Sequence, residues 1–502
     1  MEAFVTDILA TQNELLICVA DAGACTRLRV CLLQPYETDG ADGENVSFRA
    51  EIGADTLWLY LPRFANGEDR LYAQVHVYKT VPDGTMRRLK GACFVTGFEN
   101  ISRWQTPYPQ AKTIRGLQVK RLGDALTLGL GHAALNVNLP CMLLPRRTED
   151  CLVFEANGRE YFFDRGYMQR LDTDIRALSA QGVVIDLILL CRAEWCGVWA
   201  EEESAKLLLH PALHPEAIVS AFSVLQKAPL EALRACVEFL AARYMRPDGE
   251  YGRACGLIVG NEVNAQWIYS GCGEMPVEEF VRQYEIALRT VYYAARKYYQ
   301  EVRVYISLDH NWDMRPCGEN PLRAYPGHVL LDLLNDRIRA LGDFDWNVAY
   351  HPYPEDLARS DFWNDTLATR RFDTPKISFK NLEVLVDYLA QPEFLYGGSK
   401  RRISLSEQGV CSGHTAEEEQ QQADAFVLAY QKVLSLPQIE AFIYHSHIDE
   451  PNEGLYLGLL AEDGRKKTIY ACFRDVDGEN AEVLYQRARQ RIGTENCKKV
   501  GL

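Results

Sequence analysis

The chain has 502 residues, 47% of them apolar, and a formal net charge of -15. That length supports two or three domains with large cores, and an acidic balance without a Lys/Arg cluster excludes nucleic acid and anionic membrane surfaces as partners. No window offers the ~18 uninterrupted apolar residues of a membrane span, and Glu2 and Asp7 stand where a signal peptide needs positive charge.

Between Leu15 and about Glu99, short β-rich runs (LLICVA, RLRVCLL, TLWLYLP, LYAQVHVYK) alternate with turn-forming stretches such as ETDGADGEN and VPDGT. This predicts a small β-sandwich over residues 1–100. ISRWQTPYPQAKTIRG, with two prolines and no periodicity, reads as a linker over 101–116.

From residue 117 the pattern changes, because β-rich runs now alternate with helices long enough to cross over a parallel sheet. The first predicted strand is ALTLGLGHAALNV, followed by a hairpin-like excursion, CLVFEANGREYFF, and a helix over 167–181. VVIDLILLC is the second strand, an irregular segment covers 192–215, IVSAFSV is the third strand, and PLEALRACVEFLAARYM a helix. ACGLIVGNE, VRVYISLDH and WNVAYHPY supply the fourth to sixth strands, with helices over 277–299, 328–341 and NLEVLVDYLA. RISLSEQG and IEAFIYHSHI are the seventh and eighth, separated by the helix EEEQQQADAFVLAYQKVLS and closed by a helix over 480–491. Eight β/α units predict a TIM barrel over 117–502. The rival, a doubly wound open sheet, calls for a Gly-rich phosphate loop, and no GxGxxG follows an early strand.

Barrel enzymes build their sites from the C-terminal ends of the strands. Those ends carry Asn136 and Asn138 (first), Arg192 and Glu194 (second), Asn261 and Glu262 (fourth), and Asp309, His310 and Asn311 (fifth). His351 ends the sixth, Glu407 and Gln408 the seventh, His445 and His447 the eighth. Glu262 and Glu407 terminate strands three apart and face one mouth, which suits glycoside hydrolysis: one carboxyl protonates the leaving oxygen while the other attacks the anomeric carbon, ~5 to 5.5 Å away in a retaining enzyme. Mutual repulsion then keeps one protonated and the other ionised.

Five tryptophans, Trp195, Trp199, Trp267, Trp312 and Trp363, fall in loops on that face, where aromatic rings can stack on sugars. His445 and His447, with Asp309 and His310, read alternatively as ligands of a metal-dependent hydrolase, but such barrels carry His-x-His at the first strand and this chain offers only His132 there. The fifteen cysteines, among them Cys18, Cys31, Cys93, Cys191, Cys236 and Cys255, lack CxxC pairs and read as reduced, mostly buried thiols. WAEEES and TAEEEQQ read as helix starts.

GNE closing the fourth strand and SEQG closing the seventh resemble the large clan of (β/α)8 retaining glycosidases, over roughly residues 117–495. The resemblance implies that Glu262 is the acid/base, Glu407 the nucleophile and Asn261 the partner of the sugar 2-hydroxyl. It also implies that Arg192 and His351 occupy the clan's arginine after strand 2 and its aromatic or imidazole beside the nucleophile. GNEVNAQW, DHNW, YHPYPEDL and LSEQG further resemble a bacterial family known as a domain of unknown function. YHSHID departs from the clan's tryptophan at the eighth strand, so Tyr444 or His445 is expected beneath the sugar. The expectation is a cytoplasmic retaining β-glycosidase acting on carbohydrate without cofactor or metal. Asn136, Asn261, Arg192, Asp309, Asn311, His351, His445, Trp267 and Trp312 are expected to bind substrate. The alternative is a non-catalytic carbohydrate-binding barrel.

Overall fold

Alternating apolar residues in the first hundred positions fold into two mostly antiparallel sheets in the computed structural model, which describes all residues except 1–2, 23–26, 38–42, 54, 82, 196, 317 and 451–453. Phe4–Ala10, Glu14–Ala20, Thr56–Pro62 and Arg49–Ile52 belong to one sheet, and Glu44–Val46, Leu28–Leu33, Gln74–Thr80 and Met86–Arg88 to the other. Thr56–Pro62 alternates buried and part-exposed residues, as a strand with one face on a core must. Ile8, Ile17 and Leu59 of the first sheet and Val30, Val75 and Val77 of the second are buried in one apolar cluster. Residues 38–42 of ETDGADGEN and Pro82 of VPDGT lie outside the described residues, as do Cys25, Cys196 and Cys317. No described cysteine is in a disulfide, and all of them are buried except for the half-buried Cys472.

Eight parallel strands close into a barrel: β1 (Arg115–Gln118), β2 (His132–Asn138), β3 (Val184–Leu190), β4 (Gly256–Val259), β5 (Arg303–Leu308), β6 (Trp346–Tyr350), β7 (Ile403–Gln408) and β8 (Ile439–Tyr444). The near-continuous apolar runs of strands such as β3 and β4 follow from burial on both faces. Ala134, Ile188, Ile258, Tyr305, Ala349, Ala441 and Ile443 pack into one cluster that fills the interior.

The expected strand count needs one correction. IVSAFSV is not a barrel strand, because β3 pairs directly with β4, Asp186 opposite Gly256. It forms an irregular segment whose Val219, Phe222 and Val224 are buried and whose ordered pairing is a single bridge, Leu209 to Phe222. The missing strand is β1, which begins inside the expected linker and joins β2 to β8. The first and second expected strands are therefore β2 and β3, while the fourth to eighth keep their numbers.

The excursion after β2 is a hairpin, Cys151–Ala156 against Arg159–Asp164. Asn157 (φ 56°) and Gly158 (φ 70°) fill its two-residue turn, the residue types such left-handed positions select. TAEEEQQ starts a helix as expected, with Thr415 and Glu418 capping its first turn reciprocally. The backbone N–H groups of Cys93 and Phe94 donate to Leu341 O, both at 2.9 Å, and Trp104 N–H donates to Tyr298 O at 2.7 Å. Leu341 ends the helix Gly327–Leu341 that leads into β6, and Tyr298 lies in the turn after the helix Val277–Arg296 that leads into β5. These contacts therefore hold the N-terminal region against the end of the barrel opposite the strand C-termini. No described helix is long and apolar enough to cross a membrane.

Candidate active site

The run Gly256–Val259 is wholly buried, so the chain must leave the barrel wall abruptly to bring a polar group to the mouth. Gly260 does this at φ +80°, a conformation that suits glycine, and Glu262 follows at φ +40°, rare for a residue with a side chain. Such a backbone costs on the order of 1–3 kcal/mol and persists only where its surroundings hold it. Here the Glu262 N–H donates to Ser307 Oγ (2.9 Å) and the Val263 N–H to Ser307 O (3.0 Å), both on β5.

The Glu262 carboxyl meets His351, whose Nδ1 lies 2.8 Å from Oε1 and whose Nε2 lies 3.0 Å from Ser406 Oγ. Burial raises the Glu262 pKa to about 6, against the lowering pull of His351, with Asp309 and Glu407 adding to the rise. Burial also works against a charged His351, but the adjacent carboxylates, Glu262 first, outweigh it and hold the imidazole above its ordinary value.

Glu407, near the end of β7, has both oxygens occupied. Oε1 accepts from the Tyr353 hydroxyl (3.1 Å) and Oε2 from the Gln118 amide (2.9 Å). Burial alone would raise its pKa, but His445 and His351 together with these two hydrogen bonds hold it below the usual carboxylate value. One atom each of Glu262, His351 and Glu407 lie within 4.8 Å of one another, so the two carboxylates are near neighbours.

The model of a family of unknown function, DUF5722, matches residues 107–500. The chain belongs to this family. No curated protein matches this DUF5722 member. Similar solved structures include a family 39 glycoside hydrolase from the gut symbiont Bacteroides cellulosilyticus WH2, at 13% identity and TM-score 0.46, covering 95% of this chain and 83% of that one. The family 1 β-glucosidase from Thermotoga maritima is 11% identical (TM-score 0.43; 71% and 84% covered). The hyperthermophilic β-glucosidase from Pyrococcus furiosus is 14% identical (TM-score 0.43; 76% and 86% covered).

In this DUF5722 chain the expected site residues separate into two groups. Glu262, Glu407, His351 and His445 come together, His445 Nδ1 lying 2.9 Å from Gln118 Oε1. His351, however, bonds to Glu262, and the group that hydrogen-bonds Glu407 from beyond β6 is Tyr353. Asn261 and Asn136 are half-buried at the mouth, and their amides bond to no described residue.

Arg192 is displaced from its expected role by the corrected count, since it follows β3, not β2. Its guanidinium sits 5.3 Å from the Trp195 ring centroid and pairs with no described carboxylate. Asp309 and Asn311 are buried and spent on each other and on Asn264: the Asn311 amide donates to Asp309 Oδ2 at 2.7 Å and the Asn264 amide to Oδ1 at 2.5 Å. They brace the loops after β4 and β5, not a ligand.

The tryptophan expectation also divides. Trp267 has His214 stacked at 3.6 Å and Arg323 at 3.9 Å from its centroid; two groups that close cannot share one ring face, so neither face is open to a sugar. Trp312 is fully buried, donating to Phe372 O at 2.9 Å, and Trp363 is buried beside Phe362. Trp199 is exposed and Trp195 half-buried, on the short hairpin after β3. Trp312→Ala is therefore expected to cost about 3–5 kcal/mol of stability, the range for emptying a large aromatic core site. Denaturant unfolding checks this, and a variant of native stability would return Trp312 to the candidate subsites.

Tyr444 is buried, with its hydroxyl donating to Leu457 O (2.9 Å), which leaves His445 as the eighth-strand residue beside the carboxylates. The histidine metal set does not converge. His447 Nε2 lies 2.9 Å from Asp124 while Nδ1 accepts from the Lys120 and Arg121 N–H groups, and His310 is held between Tyr353 O and the Lys376 ammonium.

Gln118, Tyr353, Ser307 and Ser406 were not foreseen. Tyr353 carried a signal, since it lies two residues beyond His351 in HPY and so shares its side of an extended chain. Gln118 carried none, because β1 is four residues with one large apolar side chain.

Proposed function

We propose that this protein is a retaining glycoside hydrolase acting on a β-linked oligosaccharide or glycoside by double displacement. The observation that carries the reading is the pair of adjacent carboxylates in opposed environments, Glu262 with its pKa raised to about 6 and Glu407 with its pKa lowered. Their closest oxygens lie within 4.8 Å, which is compatible with the ~5 to 5.5 Å carboxyl spacing of direct attack.

In the first step a Glu407 oxygen bonds to the anomeric carbon as the glycosidic bond breaks, and Glu262 gives its proton to the departing oxygen. Glu262 Oε1 is taken by His351, so Oε2 carries that proton. In the second step Glu262 takes a proton from water, whose oxygen replaces Glu407 at the anomeric carbon. Asn261 beside the acid and Asn136 at the end of β2 are the open amides for sugar hydroxyls, and Trp199 is the exposed ring for an outer subsite.

Incubation with a panel of 2-deoxy-2-fluoroglycosides followed by peptide mass mapping tests this. The expected result is one covalent adduct, on Glu407; an adduct on another residue, or none across the panel, overturns the reading. A metal-dependent hydrolase is the second reading, because Glu262, His351 and Glu407 form the one group of three described residues able to converge on a cation. In that case hydrolysis is abolished by a chelator and no adduct forms.

A further inference from the structure

No arginine or lysine among the described residues pairs with Glu407, and Arg192, expected nearby, lies over Trp195. What holds Glu407 from the β1 side is the neutral amide of Gln118, which is buried and bonded at both ends. Its Nε2 lies 2.9 Å from Glu407 Oε2 and 3.2 Å from Ser406 O, and its Oε1 lies 2.9 Å from His445 Nδ1.

The direction of these bonds is fixed by chemistry. A carboxylate and a carbonyl can only accept, so the amide must turn its two N–H groups toward Glu407 and Ser406. A flipped amide would set its oxygen against two acceptors. With the N–H groups committed, Oε1 faces His445 and can only accept, so His445 Nδ1 must carry a hydrogen. The imidazole tautomer, ordinarily ambiguous, is thereby set: Nδ1–H, with Nε2 as the acceptor nitrogen of the neutral ring. Tyr353 holds Oε1 of Glu407 from the other side, and the two donors together fix the plane of the carboxylate.

We propose that Gln118 is a positioning residue that orients the Glu407 carboxylate and sets the Nδ1–H tautomer of His445 through one buried amide. The proposal rests on reading Glu407 as the nucleophile. It extends that reading by setting a neutral amide against the carboxylate where an arginine was expected, and by making β1 a contributor to the site.

The test has two readouts, one of which does not require catalysis. Nitrogen-15 spectra of histidine-labelled protein, recorded above the histidine titration range and assigned with His445→Gln, are expected to show His445 as Nδ1–H in the native chain. They are expected to show a shift toward Nε2–H in Gln118→Leu, where the acceptor is gone. The rate of Glu407 labelling by the fluoroglycosides is expected to fall on the order of 10²-fold in that variant, the scale of a misplaced reacting group. Gln118→Glu keeps the size of the side chain should leucine disturb the strand; it sets a carboxylate against Glu407 and is expected to slow labelling at least as much. An Nε2–H native tautomer, an unchanged His445 spectrum in Gln118→Leu, or unchanged labelling rates in both variants overturns the role of Gln118 alone. An Nδ1–H native protein that no fluoroglycoside labels overturns the nucleophile reading and this role with it.

Discussion

Glu407→Gly is expected to lower turnover by roughly 10⁴- to 10⁶-fold, the scale seen when an enzyme loses its nucleophile, and to leave the fold intact. Glu407 is half-buried near the end of its strand, and its loss frees the Tyr353 hydroxyl and the Gln118 amide, both of which water can satisfy. The space vacated lies on the face of the sugar opposite the leaving group. Azide added to this variant should enter there and displace the aglycone once, giving a glycosyl azide of inverted configuration. Proton NMR of the product decides: a retained azide, or native turnover by the variant, would falsify the assignment of Glu407.

Removing the other carboxyl should leave a different signature. In Glu262→Gly the nucleophile still attacks, so substrates with good leaving groups, which need no proton, should form the covalent intermediate quickly and then stall for lack of a base. With poor leaving groups turnover should fall by about 10²- to 10⁴-fold, the usual worth of general acid–base help. Azide now intercepts the intermediate and yields the retained product, opposite in configuration to that from Glu407→Gly. The pH profile supplies a second check. Glu262 must be protonated to act as the acid and its pKa stands at about 6, so kcat/KM of the native enzyme should decline as pH rises through that value. Glycine at 262 should abolish that alkaline limb and leave the acidic one, set by Glu407.

Much of this site was legible in the sequence because the barrel turns pattern into place. A buried parallel strand reads as an apolar run, and whatever polar residue ends the run stands at the mouth. GLIVGNE and RISLSEQG declare Glu262 and Glu407 in that way. β1 was illegible for the converse reason: RGLQ has one large apolar residue, and its place in the barrel is decided by pairing with β2 and β8, not by local pattern. Missing it shifted the early count, carried Arg192 to the wrong strand and hid Gln118. IVSAFSV had the composition of a strand, but its Val219, Phe222 and Val224 are buried in an irregular segment while Ile218 is exposed. Trp267, Trp312, Asp309 and Asn311 failed as ligand contacts because sequence shows which residues a loop contains, not whether their faces and lone pairs are already spent within it.

The left-handed backbone at Glu262 bears on how this protein can change over time. A residue with a side chain at φ +40° is held against its preference, and a buried carboxyl adds desolvation to that strain. Glycine or asparagine there would relax the turn, so the most stable descendants of this chain should be inactive ones. If the proposed glycosidase reading holds, stability and activity pull in opposite directions at this one position, and a lineage that drops its substrate has a downhill route to a sturdier, silent barrel.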